Sequence, residues 1–130
     1  MTIALWCILA AGLLPYTFTI AAKTGPGFSN RAPRAYLDKV EGWRQRAHWA
    51  QLNSFEGLPL FVGAVLTCHV VGGDQASADT IALIYVAARA LYGCMYITDR
   101  PGLRSLMWFA AMFANVGLFV TAASAAAVPV

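Results

Sequence analysis

Four long, mostly apolar runs constrain this sequence more than any other feature. At 1.5 Å of rise per helical residue, each run is long enough to cross a hydrocarbon layer of about 30 Å. The first runs without a charge from Thr2 to Ala22. We predict an all-α fold, an integral membrane four-helix bundle. It forms one domain over residues 1–130, with helices at approximately 2–22, 46–71, 80–98 and 103–127.

The composition indicates a surface that faces lipid. Hydrophobic residues make up 59% of the chain and charged residues 12%, whereas a soluble domain carries about 25% charged residues. The net charge of +3 is small, and the basic residues lack the interleaved aromatics of single-strand binders, so we expect no nucleic-acid partner. The cysteines lie far apart in apolar segments and predict neither disulfides nor a metal site: Cys7, Cys68 and Cys94.

The first apolar run has a signal peptide as its alternative interpretation. Such a peptide needs a positively charged start, which Met1-Thr2 lacks, so a retained helix is favoured. Pro15 falls inside this run, and a membrane helix tolerates it. The following stretch, Lys23 to Gln45, is rich in glycine, proline and charge, which predicts a polar loop with a short interfacial helix near residues 35–43.

Basic residues in the loops predict the orientation. The first loop, which follows the first run, carries Lys23, Arg31, Arg34, Lys39 and Arg44. The third loop, the turn before the fourth run, has Arg100, with Arg104 just after it. The polar loop predicted for Asp74 to Asp79 has none. We therefore expect the first and third loops to face the cytoplasm, with both termini on the non-cytoplasmic side.

The polar residues inside the spans carry the functional information, because burying them in lipid is costly. Asn53 and Glu56 are three residues apart and share one helix face; Arg89, Tyr92 and Tyr96 share another. Counted from Arg46 and from Asp99, Glu56 and Arg89 both lie about 15 Å deep. Two compatible interpretations follow: a structural pair of opposite charges, or a polar pocket for a small, zwitterionic, net-anionic ligand.

These residues stand in an order that resembles the MAPEG family, the membrane-associated proteins in eicosanoid and glutathione metabolism. The second run carries Asn53-Ser54-Phe55-Glu56 followed by the apolar residues 58–61. The third carries Arg89 and Tyr96, then a proline-containing turn and Arg104-Ser105. The segment Asn30 to Arg34 is similar to bacterial members. The resemblance covers almost the whole chain.

The resemblance implies a homotrimer in the bacterial inner membrane that takes glutathione as cosubstrate between neighbouring protomers. Arg104 and Tyr96 are the catalytic candidates, with Arg104 stabilising the glutathione thiolate. The candidates for binding glutathione are Asn53, Glu56, Arg89, Tyr92 and Ser105. The second substrate is expected to be lipophilic, an electrophile or a hydroperoxide that enters from the bilayer.

Three positions depart from the family pattern. Trp49 stands where transferase-type members have an arginine, and Leu52 where some have another basic residue. Tyr92 stands where some members have a histidine. These departures keep a second hypothesis open, a non-catalytic scaffold or an accessory subunit of a larger membrane complex. A small transporter or channel is a weaker third, because only two charged side chains lie deep in the spans.

Overall fold

The structure, a computed structural model, describes residues 1–126, and every regular element in that part of the chain is a helix. Within those residues the chain forms four long helices and a short one: α1 (Ile3–Ala22), α2 (Pro33–Leu37), α3 (Gly42–Val70), α4 (Gln75–Ile97) and α5 (Pro101–Ala126). The prediction of an all-α fold is confirmed. Residue 127, the predicted end of the last helix, lies outside the described residues.

The four long helices run alternately up and down. α1 packs against α3 and α4, and α5 packs against the same two helices on the other side. One end of the molecule holds the start of α1, the α3–α4 turn with Asp74, and the start of α4 with Asp79; we call it the acidic end. The opposite end holds residues 23–41 and the α4–α5 turn with Arg100; we call it the basic end.

Three of the long helices, α1, α4 and α5, are long and apolar enough to cross a membrane. α3 is the longest helix, but charged and polar residues occupy its first half, including Arg44, Arg46, His48 and Glu56. Length and composition therefore support α1, α4 and α5 as three of the four predicted spans, and they do not by themselves support α3.

Three helices begin earlier than predicted, and the difference is smallest for α5, which begins at Pro101 rather than near residue 103. α4 begins at Gln75 rather than near residue 80, because the Oδ2 atom of Asp74 accepts a hydrogen bond of 2.9 Å from the Ser77 backbone N–H and caps the helix. α3 begins at Gly42, so the predicted loop to Gln45 ends too late; polar first turns are compatible with a helix that projects beyond lipid. The short helix is α2, with Pro33 in its first turn, and not residues 35–43.

Small residues let the helices approach closely in the core, as is usual in membrane bundles. Many of the buried positions are alanines, and Cys7 and Cys68 lie among them, whereas Cys94 is exposed. Phe61 of α3 stacks face to face on Tyr85 of α4, with ring centres 3.8 Å apart. The ring of Phe18 in α1 lies against Gly93 of α4, where any side chain would collide with it.

Hydrogen bonds join the helices at both ends. At the acidic end, Asp79 Oδ1 accepts bonds of 2.7 Å from the backbone N–H of Ala4 and from Gln75 Nε2. The first turn of α1, whose N–H groups have no partner within the helix, is thereby held by a carboxylate from α4. At the basic end, Arg46 Nε of α3 donates to the carbonyl oxygen of Ile97, in the last turn of α4, at 3.1 Å.

Candidate functional site

The seven predicted site residues come from three helices and line neighbouring cavities. α3 contributes Asn53 and Glu56, α4 contributes Arg89, Tyr92 and Tyr96, and α5 contributes Arg104 and Ser105. All three cavities are lined in part by Asn53. The up-and-down arrangement explains this meeting: the second half of α4 returns beside the first half of α3, and the α4–α5 turn brings the start of α5 to the same level.

Asn53 is the centre of the hydrogen bonding at this site. Arg89 Nη2 donates to Asn53 Oδ1 at 3.0 Å and to Ser54 Oγ at 3.2 Å, and Asn53 Nδ2 donates to Glu56 Oε2 at 3.2 Å. Among the described residues, the hydrogen-bond partners of the Arg89 guanidinium are therefore Asn53 and Ser54 rather than Glu56. Glu56 and Arg89, the predicted pair of opposite charges, are therefore connected through hydrogen bonds to the amide of Asn53.

Cations and aromatic rings alternate along α4 and onto α5. The Arg89 guanidinium carbon lies 4.3 Å from the centre of the Tyr92 ring. The rings of Tyr92 and Tyr96 meet edge to face at 5.6 Å, and the Arg104 guanidinium carbon lies 4.5 Å from the centre of the Tyr96 ring. Stacking of this kind uses the face of the Arg104 guanidinium, which leaves its N–H edge to bind an anion.

Two contiguous grooves run along the surface of the chain at this position. The first, of about 400 Å³, is lined by residues of α3 and α4: Trp49, Leu52, Asn53, Glu56, Tyr92 and Tyr96. The second, of about 290 Å³, shares three of these and reaches α5: Asn53, Tyr92, Tyr96, Arg104, Ser105, Trp108 and Phe109. Glu56 and Ser105 are exposed, so one wall of each groove is open.

Trp49 and Leu52, which stand where the family pattern has basic residues, form apolar parts of the groove wall. Trp49 and Leu52 both line the first groove, and the Trp49 ring lies 6.3 Å from that of Tyr96. Arg46, one turn before Trp49, uses its Nε to cap the last turn of α4, where the carbonyl end of a helix favours a cation. Its Nε is thus engaged away from the groove.

Sequence analysis missed two polar residues of this region, Ser54 and Asn115. Ser54 is buried and bridges Arg89 to the Ala50 carbonyl oxygen, to which its Oγ donates at 2.8 Å. Asn115 of α5 is 4% exposed and lines a third cavity with Arg89. The available signal was its place in an otherwise apolar run of α5, since a polar residue inside a span indicates a site.

Comparison with known protein families matches residues 3–124 to the MAPEG family, which covers nearly the whole chain. A search of curated proteins finds no significant match.

Proposed function

Because the chain belongs to the MAPEG family, we propose that it is a glutathione-dependent membrane enzyme that activates the glutathione thiol. The family contains glutathione-dependent transferases and peroxidases as well as non-catalytic members. Together with the three apolar helices, membership makes the chain an integral membrane protein. In this proposal the thiolate attacks a lipophilic electrophile or a hydroperoxide.

The observation that carries the proposal is the position of Arg104 above the Tyr96 ring at the wall of an open polar groove. A free thiol has a pKa of about 8.5, so most of it is protonated and weakly nucleophilic at neutral pH. A fixed guanidinium beside the sulfur lowers that pKa, and each unit corresponds to about 1.4 kcal/mol of preference for the thiolate. The Tyr96 phenol lies beside the same groove and can donate a second hydrogen bond to the sulfur.

The rest of the groove suits the charged and amide groups of a peptide. The exposed Glu56 carboxylate can hold the ammonium of glutathione, and the Asn53 amide and Ser105 hydroxyl offer hydrogen bonds to its backbone and carboxylates. Arg89 is 4% exposed. We therefore assign it the task of holding Asn53 in place, with direct contact to the ligand left to the groove residues.

The open wall of the grooves supports a homotrimer in which a neighbouring protomer covers glutathione. α3 is the fourth span in this proposal, because its polar half is bonded to α4 through Asn53, Ser54 and Gly57. The concentration of Lys and Arg at the basic end supports a cytoplasmic position for that end, with both termini on the other side of the inner membrane.

The proposal is tested by adding glutathione to the purified protein and measuring the ultraviolet absorbance of the thiolate. The intact protein should show that absorbance near neutral pH, and Arg104→Ala should remove it. Arg100→Ala is the matched control, because Arg100 is exposed in the adjacent turn and lines neither groove. Absence of thiolate in the intact protein, at glutathione concentrations that saturate related enzymes, contradicts the proposal.

A second candidate function, a non-catalytic scaffold or accessory subunit of a larger membrane complex, is favoured by Trp49 and Leu52. Both residues put apolar surface where a ligand with two carboxylates needs cations. Substitution Trp49→Arg separates the two functions. It should increase glutathione affinity severalfold if the groove binds glutathione weakly, and should leave a scaffold without measurable binding.

A further inference from the structure

The basic end of the molecule carries a cavity of about 240 Å³ that is separate from the glutathione grooves. It lies between the chain that follows α1, the end of α2 and the start of α3. The residues that line it are Pro26, Tyr36, Lys39, Val40, Glu41 and Arg44. None of these six lines a groove of the proposed glutathione site, and four of them offer a polar group: a phenol, two cations and a carboxylate.

Packing brings the phenol and one of the cations to the same place. A Cβ on Gly25 would meet the Tyr36 hydroxyl and would lie 3.0 Å from Arg44 Nε, so glycine lets the chain pass close over both groups. The Arg44 guanidinium carbon lies 4.8 Å from the centre of the Trp43 ring. Stacking on the ring and contact with the chain at Gly25 both restrict the guanidinium, and such preorganisation reduces the cost of binding a ligand.

The cavity lies at the level where the apolar spans end. Leu37 of α2 forms a buried cluster with Ala22, the last residue of α1, and with Ala47 of α3. The 20 residues of α1 rise about 30 Å, which is the thickness of the hydrocarbon layer, so Ala22 marks its edge. Arg44 precedes Ala47 by three residues and lies about 4.5 Å further out. This distance falls within the headgroup layer, which adds roughly 5–8 Å on each side.

Exposed aromatic rings beside the cavity indicate the same depth. Phe28 and Trp43 are both exposed. The Phe28 ring meets the Tyr36 ring edge to face at 5.3 Å, and Lys23 Nζ lies 5.5 Å from the centre of the Phe28 ring. Amphipathic aromatic residues such as Trp and Tyr are typical of the headgroup level. The ligand that reaches this cavity is therefore expected to be a lipid headgroup.

The polar groups match a phosphate that carries a cation on its outer side. Tyr36, Lys39 and Arg44 all donate hydrogen bonds, which suits phosphate oxygens. Glu41 precedes Arg44 by three residues, so its carboxylate stands further from the hydrocarbon than the guanidinium does. A free phosphate ion offers nothing to this carboxylate, which repels it. The order of apolar edge, guanidinium and carboxylate is the order of acyl chains, phosphate and ammonium in phosphatidylethanolamine.

We propose that this cavity binds the phosphoethanolamine headgroup of a membrane phospholipid. Tyr36 and Arg44 donate to the phosphate, Lys39 adds a second positive charge at the mouth, and Glu41 accepts from the ammonium. Two other headgroups provide matched comparisons. Phosphatidylcholine has the same charges, but its methylated nitrogen has no hydrogen to donate to Glu41. Phosphatidylglycerol has the phosphate without a cation.

The test measures quenching of tryptophan fluorescence in the full-length protein in detergent by phospholipids that carry a nitroxide near the start of one acyl chain. Trp43 stands beside Arg44, and Trp43→Phe identifies its share of the signal. Native protein should bind phosphatidylethanolamine about tenfold more tightly than phosphatidylcholine with the same chains, the ratio that corresponds to one charge-assisted hydrogen bond. Phosphatidylglycerol should also bind more weakly, because its phosphate brings no cation to Glu41.

Four variants assign the two halves of the headgroup. Glu41→Ala should bring the ratio between phosphatidylethanolamine and phosphatidylcholine to about one, whereas Asp38→Ala should keep it near tenfold. Arg44→Gln should weaken the binding of all three lipids, whereas Arg34→Gln should leave it unchanged. Asp38 and Arg34 are the matched controls, because both are exposed on the same segment and neither lines the cavity.

Two results overturn the proposal without any variant. One is equal quenching of native protein by phosphatidylethanolamine and phosphatidylcholine, which is expected if the lipids only surround the bundle. The other is displacement of phosphatidylethanolamine by an excess of inorganic phosphate, which would show a site for the free ion. The measurement needs no glutathione, so its outcome is independent of the thiolate experiment.

Discussion

Asp79 and Arg89 lie in opposite halves of α4 and differ in how completely the chain satisfies them. Asp79 Oδ1 accepts two short hydrogen bonds, one of them from the backbone of α1. Arg89 is more deeply buried, yet its Nε has no partner among the described residues. Both are charged groups on one membrane helix, and burial is costly for each.

The difference separates polar residues that hold helices together from the polar residues that the proposed function assigns to glutathione. At the acidic end, Asp79 joins α4 to the start of α1 and Asp74 caps α4. Around Arg89, bonds within the chain coexist with unpaired atoms and open grooves. We therefore expect substitutions at the acidic end to change stability and substitutions around Asn53 and Arg104 to change binding.

The largest effect is expected for Arg104→Gln, which keeps polarity and removes the charge. Loss of a fixed cation beside the sulfur should reduce the rate with a dinitrophenyl halide about 100-fold or more, with little change in thermal stability. Arg100→Gln in the same turn should keep the native rate. A rate for Arg104→Gln within twofold of native would contradict the proposal that Arg104 stabilises the thiolate.

A large effect on stability alone is expected for Asp79→Leu. It leaves the Ala4 N–H and Gln75 Nε2 without their acceptor, which should lower the free energy of unfolding by about 1–3 kcal/mol. Asp79→Asn, which keeps an acceptor oxygen, should lose less. Unfolding in detergent measures the loss, and glutathione titration of the folded fraction should give the native affinity for both variants.

Two asparagines, the half-buried Asn53 and the buried Asn115, sharpen the comparison. Asn53→Leu removes a group bonded to both Arg89 and Glu56 and should cost about 1–3 kcal/mol of stability, together with glutathione binding. Asn115→Leu removes an acceptor that lacks a partner, so the free energy of unfolding should stay within about 1 kcal/mol of native or increase. Equal losses for the two variants would mean that Asn115 has a partner within the folded chain.

The smallest effect concerns Asp74, which is exposed at the start of α4. Hydrogen bonding by Ser77 lowers the pKa of the Asp74 carboxyl below its ordinary value. A lowered pKa in the folded state means that the ionised cap stabilises above the unfolded pKa, about 3.9, and that this contribution is lost as pH falls through the folded value. Native protein and Asp74→Asn should therefore differ slightly in melting temperature near neutral pH and converge in acid.

The long helices could be predicted from the sequence, and so could the clustering of the predicted site residues. The hydrogen bonds between those residues could not. Apolar runs and loop residues located the long helices, and counting residues along the second and third runs placed Glu56 and Arg89 at similar depth. Depth along a helix follows from counting residues, whereas rotation about its axis is set by packing. For that reason Arg89 was matched with Glu56 by depth, while the packed helices present Asn53 and Ser54 to it.

The start of α4 and the burial of Asn115 beside a cavity were missed for different reasons. Asp74 to Asp79 looks like a loop by polarity, yet Asp74 is an N-cap and Asp79 an anchor for α1. Asn115 stands alone in an apolar run, without a motif to attach it to. Asn115 lines a cavity formed by residues of three helices, and the sequence of one helix does not reveal such a cavity.

The polar first half of α3 has a consequence for biosynthesis. A nascent chain that has released α3 but not α4 has no Arg89 for Asn53 and Ser54 and no Tyr85 hydroxyl for the Gly57 carbonyl. Among the long helices of residues 1–126, α3 alone is too polar to qualify as a span by itself, so we expect it to enter the bilayer together with α4 as a hairpin. A ribosome stalled between the two helices would then leave α3 in the aqueous phase or at the membrane surface, and assembly of the site would begin only when Arg89 emerges.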